Sequence, residues 1–459
     1  MIYSSPWQIF ANILGSGYTV FIVLIAYISN LIAGVSFVWS SPTLVKLNET
    51  ENNPLGKPIT PNESDLIGSL FYIGAAIGPL LFMESLERLG RKPTMIIMGI
   101  PLPIAYGMLS LTGHIEVYYI CRVVLGLVVG AICSITSVYA SEILPANIRG
   151  SLMSLSNCFI QGGSLLTYFI GPYLSIMAFN MIIAGISLIF VVLFILSCPE
   201  TPYYLMQKKG REKSKDILMY LRKDGIEAEL KDIEDSVREE ISSSYLELFK
   251  SKRYFKAFLM ATLIMIIQQL TGITMVMGYS QLIFSETNIQ ISSEKCSIIV
   301  GCLQVASSFI TPLLSERIPR KVMWCSSLFG LSICNFCISL YFFVLKGTRV
   351  VDWLPLVTLI LFVICDNCGN GPLPWVLLGE IYPMQVRSVG PLLSTSIYYF
   401  VQFFLTFSFN KIEQKYMFFG YGWCCIFGLL YVRYFVTETR GKSLKEIQES
   451  LEDITENRV

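Results

Sequence analysis

The sequence has little charge and almost no histidine for its length. Of its 459 residues, only 15% are Asp, Glu, Lys or Arg, whereas 53% are hydrophobic. A soluble globular chain carries about 25% charged residues, so this chain lacks the charge to cover several water-exposed domains. Its 34 basic and 33 acidic residues nearly cancel, without the basic excess that is typical of nucleic-acid binders. Most of the outer surface is therefore expected to face lipid.

The cysteine pattern does not indicate a metal site or a disulfide framework. There are 13 cysteines, and the two Cys-x-x-Cys pairs, at 334–337 and 365–368, lie inside hydrophobic runs beside a single histidine, His114. Free cysteine in such runs behaves as a small apolar side chain. Only Cys296 lies near a predicted outer loop. The chain also has no nucleotide-binding loop and no nucleophile–base pair, so we expect neither an enzyme nor a cofactor.

Twelve apolar runs are long enough to span a membrane as helices, which takes about 20 residues. The first run is longer than a signal-peptide core and lacks a basic leader and a cleavage site, so it is expected to stay as a helix. We number the runs as segments 1 to 12: 19–40, 66–86, 94–112, 116–138, 152–174, 178–198, 255–277, 296–315, 322–345, 353–377, 391–409 and 417–436.

The distribution of basic residues predicts the orientation. The loops after even-numbered segments, with the C-terminal tail, hold 26 Lys and Arg, against 7 in the other loops. The positive-inside rule then places both termini in the cytoplasm. The two Asn-x-Ser/Thr sequons of the chain, at Asn48 and Asn62, fall in the loop after segment 1, which this orientation puts outside. We expect a multi-pass protein, glycosylated at both positions, in the plasma membrane.

One sizeable polar stretch separates segments 6 and 7. Residues 203–254 alternate in charge sign, and apolar residues recur there at helical spacing. This pattern predicts short amphipathic helices beneath the membrane. The expected organisation is a six-helix bundle at 1–198, a cytoplasmic helical linker at 199–254, a second six-helix bundle at 255–436 and a tail at 437–459.

Three cytoplasmic motifs occur twice, six segments apart. The stretch 87–92 resembles 316–321, 142–149 resembles 380–387, and Glu-Thr occurs at 200–201 and again at 438–439. Capping charges at the membrane surface explain single charges but not a repeated pattern of eight residues. Parallel six-helix repeats form a transporter architecture with the substrate site between the two halves. The sequence therefore predicts an all-α membrane protein of two pseudo-symmetric bundles.

These motifs, taken together, resemble the sugar porter family of the major facilitator superfamily over nearly the whole chain. Leu-Leu-Gly-Glu-Ile-Tyr-Pro at 377–383 is most similar to insect facilitated transporters for trehalose and glucose. The family resemblance rests on motifs in the family's order: 87–92, Arg122 with Gly126 and Gly130, 139–145 with Arg149-Gly150, 199–202, Gln268-Gln269-Leu-Thr-Gly-Ile, 371–375 and 438–444.

The resemblance implies the major facilitator fold, a small neutral sugar as substrate and a lipid bilayer as surroundings. It indicates no nucleic acid and no obligate protein partner. A sugar needs amides and hydroxyls that donate and accept hydrogen bonds, and an aromatic face for its C–H surface, although the same polar groups also hold helices together. The implied substrate-binding residues are Gln268, Gln269, Thr274, Tyr279, Gln304, Asp366, Asn367, Trp375, Tyr398, Tyr399, Gln402, Asn157 and Gln161.

The repeated cytoplasmic charges are implied to form the inner gate. By the family resemblance they pair when the cavity faces outward and separate when it opens inward; the alternative is that they serve only membrane insertion and topology. The implied gate residues are Glu87, Arg88, Arg91, Glu142, Arg149, Glu200, Glu316, Arg317, Arg320, Glu380, Arg387 and Glu438.

The residues around Arg122 favour facilitated diffusion. Proton-coupled relatives place an acid in segment 1 as the partner of this arginine, whereas here segment 1 has no Asp or Glu and Ser36 takes that position. Asp366 within segment 10 keeps proton-coupled symport open, since an acid inside a membrane helix is functional by default. A sugar sensor that does not transport is a further alternative. The family's usual residues are replaced by Thr274, Met83, Pro319 and Tyr203, which affects sugar choice and turnover rather than fold.

Overall fold

A computed structural model describes residues 17–50, 53–222, 226–239, 248, 252–287, 289–309, 318–345, 351–382, 386 and 389–436. Within these residues all regular elements are helices and none is a strand. Gly150, Ser151, Ser154, Glu380 and a few other helix positions are described by their backbone alone.

The N-terminal half, defined as α1 to α8, covers segments 1 to 6. Segments 1 and 3 each consist of two consecutive helices. The helices are α1 (Gly17–Val38), α2 (Ser40–Leu47), α3 (Pro61–Arg88), α4 (Arg91–Gly99), α5 (Pro101–Leu111), α6 (Ile115–Ile143), α7 (Ala146–Ile170) and α8 (Ile176–Ser197).

Helix α3 starts before the expected boundary at residue 66, and the reason is a capping box. Thr60 accepts a hydrogen bond from the backbone of Glu63, and the Glu63 carboxylate accepts one from the backbone of Thr60. Pro61 adds a favourable first helical residue. The helix therefore begins at Pro61, and Asn62 lies in its first turn rather than in a loop.

Helices α3 and α6 pack closely because glycines remove side-chain bulk between them. A β-carbon at Gly126 would lie 1.9 Å from the carbonyl oxygen of Phe71, and one at Gly130 would lie 2.3 Å from that of Ala75. Small residues allow this backbone approach in membrane bundles. The contact holds Arg122, one turn before Gly126, against the outer half of α3.

Three short helices follow the N-terminal half, as the amphipathic pattern predicts. They are α9 (Pro202–Lys209), α10 (Arg211–Leu221) and α11 (Ile226–Glu239). Leu218, Leu230 and Ile233 form a small buried cluster among them. Arg222 joins α10 to α11 through Glu229 at 2.9 Å, and it also donates to the carbonyl of Ile143 at the end of α6. These helices are thereby attached to the end of the bundle that is expected to face the cytoplasm.

The C-terminal half, defined as α12 to α19, contains interrupted helices. Two π-helical turns, Tyr341–Leu345 and Asp366–Asn370, follow α15 and α16. The helices are α12 (Lys252–Gln269), α13 (Ile273–Ser285), α14 (Ser293–Ser308), α15 (Arg320–Leu340), α16 (Leu354–Cys365), α17 (Leu373–Ile381), α18 (Gly390–Phe407) and α19 (Gln414–Phe435).

Nine helical spans in the described residues are long and apolar enough to cross a membrane by length and composition. Segments 5, 8 and 11 are present as α7, α14 and α18 but are not among the nine, so the total of twelve stays a prediction. Helix α14 is described over only 16 residues, which is shorter than a membrane span. The buried faces of all three helices carry polar residues, which lowers the hydropathy of α7 and α18. These faces carry Ser164, Thr167, Ser297, Gln304, Ser307, Ser394, Thr395, Gln402 and Thr406.

Candidate functional site

The glutamine pair at the end of α12 lies at a break between two helices. Gly272 has φ +90°, a conformation that glycine adopts without strain, and a β-carbon there would lie 2.5 Å from the Tyr421 ring. The chain therefore turns after Gln269 and starts again as α13. Interrupted helices of this kind supply polar groups inside transporters.

The two glutamines point to different helices. Gln268 donates to the carbonyl of Gly371 at 2.8 Å, whereas Gln269 donates to Gln402 of α18 at 2.9 Å. The side-chain oxygen of Gln269 accepts a hydrogen bond from the Thr274 hydroxyl at 2.8 Å. Side chains at adjacent helical positions point about 100° apart, so the two glutamines reach different helices. Gln269 is thus satisfied by protein, while Gln268 keeps an unpaired acceptor.

The π-turn at 366–370 brings a second polar group to the same region. Asp366 accepts a hydrogen bond from Asn370 at 2.8 Å, and Asn370 also contacts Thr271 at 3.3 Å. Asn367 donates to Ser307 at 2.8 Å and to the carbonyl of Gln304 at 3.3 Å, both on α14. The wider turn therefore connects the break after α12 to α14 through side-chain amides.

The aromatic residues lie beside this network. Trp375 is 37% exposed, and its ring meets that of Tyr398 edge to face at 5.3 Å. Tyr398 in turn contacts Tyr399 at 5.1 Å. An exposed tryptophan face next to buried amides is the surface that the C–H side of a sugar ring can contact.

Six amide oxygens in the described residues have no hydrogen-bond partner, and three of them are on residues that the family resemblance implies for sugar binding. These three belong to Gln161, Gln268 and Gln304, and the nitrogen of Gln304 meets only the sulfur of Met277, at 3.3 Å. Helix α7, which carries Gln161, packs against α14, which carries Gln304. Buried acceptors are normally paired, so these oxygens are available to hydroxyl donors. Asn157 of α7 is exposed.

The outer ends of the two halves are in contact. Tyr279, at a non-helical position in α13, stacks on Phe409 with ring centroids 4.0 Å apart. A β-carbon at Gly68 of α3 would lie 2.0 Å from the Tyr279 hydroxyl. Nearby, Ser40 donates to the carbonyl of Gly278 at 2.9 Å. These contacts join the two halves at the ends that are expected to face outward. We call Tyr279, Phe409, Asp65 and Asn410 the outer gate.

Arg122 is fully buried and is held by uncharged groups. Its guanidinium donates to the carbonyls of Ile67 at 3.0 Å and Ser36 at 3.3 Å. Its faces lie against the rings of Trp39, at 5.0 Å, and Phe71, at 4.4 Å. Such cation–π contacts are worth about 2 kcal/mol or more when desolvated. Ser36 itself bonds with Tyr106 at 2.7 Å. In the described residues, no ion pair of Arg122 is present.

The cytoplasmic charges of the N-terminal half form a network within that half. Arg91 pairs with Glu142 at 2.7 Å, and both side chains are only 12% exposed. Glu200 accepts hydrogen bonds from the backbone nitrogens of Arg91 and Lys92 at 3.1 and 3.2 Å. Burial raises the pKa of the Glu200 carboxyl, and these N–H groups oppose that shift. The network joins the ends of three helices.

The structure describes the side chains of only some of the remaining gate residues. Arg88 pairs with Glu84 on the surface, Glu87 is exposed, and Arg149 donates to the carbonyl of Leu144 at 3.1 Å. Arg320 begins α15 and is half-buried. Pairing between the two halves stays a prediction, because its other members lie outside the described residues or side chains: Glu316, Arg317, Glu380, Arg387 and Glu438.

Sequence reasoning missed several residues of this region. Asp65 fell just outside the expected segment 2, although the Thr-x-x-Glu pattern at 60–63 signals an earlier helix start. Phe409 and Asn410 lie in the turn after α18, and Asn370 lies within the π-turn. Their partners are distant in sequence, so no local pattern predicted them. Both sequon asparagines, Asn48 and Asn62, are exposed.

Comparison with known proteins gives one family over nearly the whole chain. The model of the family described as "Sugar (and other) transporter" matches residues 14–451. The facilitated trehalose transporter Tret1 of Bombyx mori is 31% identical over 436 residues, which are 92% of this chain and 85% of that protein. Tret1 of Anopheles gambiae is 29% identical over 437 residues, and the match covers 92% of this chain and 55% of that longer protein.

Solved structures give the fold. The inward open conformation of the xylose transporter XylE from E. coli has a TM-score of 0.79 at 22% identity, over 94% of this chain and 99% of that one. The proton:xylose symporter XylE bound to 6-bromo-6-deoxy-D-glucose has a TM-score of 0.76 at 22% identity, over 95% and 99%. This chain shares their all-helical fold, that of the major facilitator superfamily.

Proposed function

Because this chain belongs to the sugar (and other) transporter family, we propose that it carries a neutral sugar downhill across the membrane by facilitated diffusion. It is a multi-pass membrane transporter with the major facilitator fold and not an enzyme. The family and fold expected from the motifs are thereby confirmed. The choice of sugar, the lack of ion coupling and the residues involved are the proposal.

The surroundings of Arg122 are the observation that carries uniport. The buried guanidinium is held by two carbonyls and two aromatic rings. Its Nη2 is unpaired, and no carboxylate is among its partners in the described residues. Without a titrating partner it offers no proton site. Ser36 and Tyr106 occupy the neighbouring space, which leaves the local charge unchanged through a transport cycle.

Trehalose is the first candidate substrate and a hexose is the second. The relatives named above are facilitated trehalose transporters, at 31% and 29% identity. The unpaired oxygens of Gln161, Gln268 and Gln304 supply acceptors for hydroxyls, and Trp375 supplies an aromatic face. In this proposal, the bundles at 1–198 and 255–436, joined by the linker at 199–254, rock about a site between them. Both termini are cytoplasmic and the protein acts in the plasma membrane.

Asp366 supports the second candidate, proton-coupled symport. It is 6% exposed and lies on the π-turn beside Asn367. A buried acid next to substrate-binding amides is a plausible proton carrier. Under facilitated diffusion, by contrast, Asp366 has a structural role, because the hydrogen bond that it accepts from Asn370 shapes the π-turn.

Tracer uptake by purified protein in liposomes tests the proposed function. Trehalose added outside should equilibrate without sodium or a proton gradient, and unlabelled trehalose should compete better than glucose or fructose. Equilibration of glucose but not of trehalose would identify a hexose as the substrate and would still agree with facilitated diffusion. Sugar binding without any equilibration would identify a sensor and contradict transport.

A further inference from the structure

A cavity opens on the face that is expected to be external, and none of the amides around Gln268 lines it. Its volume is about 300 Å³, at the lower end of the roughly 300–1,000 Å³ of small-molecule sites. It lies where α13, α15 and the α18–α19 turn meet. The residues that line it include Glu286, Phe342, Phe409, Asn410, Gln414 and Lys415. We call it the outer pocket.

Gln414 is the feature of the outer pocket that points to a ligand. The side chain is only 8% exposed, yet both its amide nitrogen and its amide oxygen lack a hydrogen-bond partner. Leaving buried polar groups unpaired costs about 1–3 kcal/mol for each group. Such a residue is normally satisfied by water or by a ligand that both donates and accepts.

The chemistry of the outer pocket fits a neutral polyol. The amide of Gln414 donates and accepts, as a pair of vicinal hydroxyls does. Phe342 and Phe409 supply aromatic surface for C–H groups. Lys415 pairs with Glu413, so this part of the rim presents no isolated charge that would select an ion. A phosphate would leave the two aromatic rings unused.

We propose that the outer pocket binds a sugar from the external side and holds the outer gate closed. Two of its lining residues are gate residues, since Phe409 stacks on Tyr279 and Asn410 donates to Asp65. A ligand that binds the closed arrangement better than the open one shifts the population toward it. The outer pocket is thus a second, inhibitory sugar site. The proposal rests on the proposed function only for the choice of sugar.

Protection of a cysteine at the rim tests this site. Ile412 lines the outer pocket and is 43% exposed, so Ile412→Cys should react with a membrane-impermeant maleimide on intact cells, above the labelling of the unchanged chain. External trehalose or glucose should slow that labelling severalfold, and sodium chloride of equal osmolarity should not. Labelling that neither sugar slows, or that sodium chloride slows to the same extent, would overturn the proposal.

Second substitutions separate the outer pocket from the central site. In the Ile412→Cys chain, Gln414→Leu should abolish protection and Gln414→Glu should weaken it, whereas Gln290→Leu, on an exposed outer loop residue, should leave it unchanged. Adding Gln268→Ala, which impairs the proposed central site, should also leave protection intact. Loss of protection with Gln268→Ala, or its persistence in both Gln414 variants at normal surface expression, would overturn the proposal. Failure of transport alone would not affect these results.

The functional consequence is a fall in influx at high external sugar. The native chain should show influx that rises and then declines, and Gln414→Leu should show a plateau instead. An equal plateau in both proteins would contradict the coupling of the outer pocket to the gate.

Discussion

Asp65 of α3 accepts hydrogen bonds from both the backbone and the side-chain nitrogen of Asn410, at 3.2 and 2.8 Å. Asp65 is fully buried, and Asn410 lies in the turn before α19. The contact therefore ties the outer end of the N-terminal half to the C-terminal half. Opening of the outer side must break it. A hydrogen bond to a charged group is worth about 1.5–3 kcal/mol, enough to bias the gate.

We expect Asp65→Asn to open the outer side more often. Losing the charge weakens both hydrogen bonds, and each 1.4 kcal/mol changes a population ratio about tenfold. A cysteine at Thr274, inside the closed gate, should then react at least severalfold faster with an impermeant thiol reagent added outside. The control is Asp352→Asn, which neutralises a half-buried acid of the C-terminal half. Equal labelling rates in all three proteins would show that this contact does not hold the gate.

We expect the two glutamines of α12 to differ in their effect on transport. Gln268→Leu removes an unpaired acceptor and should raise the KM for sugar about tenfold or more, equivalent to about 1.4 kcal/mol of binding. Gln269→Leu removes the partner of Gln402 and Thr274, so it should lower thermal stability as well as transport. Uptake kinetics and detergent melting curves measure both. An unchanged KM in Gln268→Leu would remove it from the sugar site.

The comparison of these glutamines shows what the sequence predicts well. The Gln-Gln motif marked a polar site in segment 7, although not the helix break there. Each hydrophobic run overlaps a described helix, although α2 and most of α13 lie beyond the predicted ends. The different hydrogen bonds of Gln268 and Gln269 depend on Gly371 and Gln402, which are more than 100 residues away. Likewise, Asp65 meets Asn410 across 345 residues. Such pairs follow from packing, which no local pattern encodes.

We expect Asn48 and Asn62 to carry glycans. Both are exposed, although Asn62 lies in the first turn of α3 rather than in a loop. Asn48→Gln and Asn62→Gln should each increase gel mobility by one step, and the double variant should match the glycosidase-treated native protein. Native protein that already migrates at the treated position would contradict the proposed orientation or the plasma-membrane location.

We expect the cytoplasmic charges to favour the outward-open state. Glu380→Ala and Arg149→Ala should reduce transport at normal surface expression and make a cysteine at Asn157 easier to label from the cytoplasm. Exposed pairs are worth about 0–1 kcal/mol each, so a change of up to about fivefold is expected for each variant. Glu84→Ala, which breaks the surface pair with Arg88, is the matched control. Normal flux and normal labelling in both variants would restrict these charges to membrane insertion.

The central claim, that sugar moves without proton coupling, is tested most directly in sealed liposomes. Purified protein is equilibrated with the same concentration of labelled trehalose inside and outside, and an inward proton gradient is then imposed. Because Arg122 is stabilised by carbonyls and aromatic rings rather than by an acid, we predict that the internal trehalose concentration stays constant. Accumulation of trehalose above the external concentration, abolished by a protonophore and by Asp366→Asn, would contradict this account.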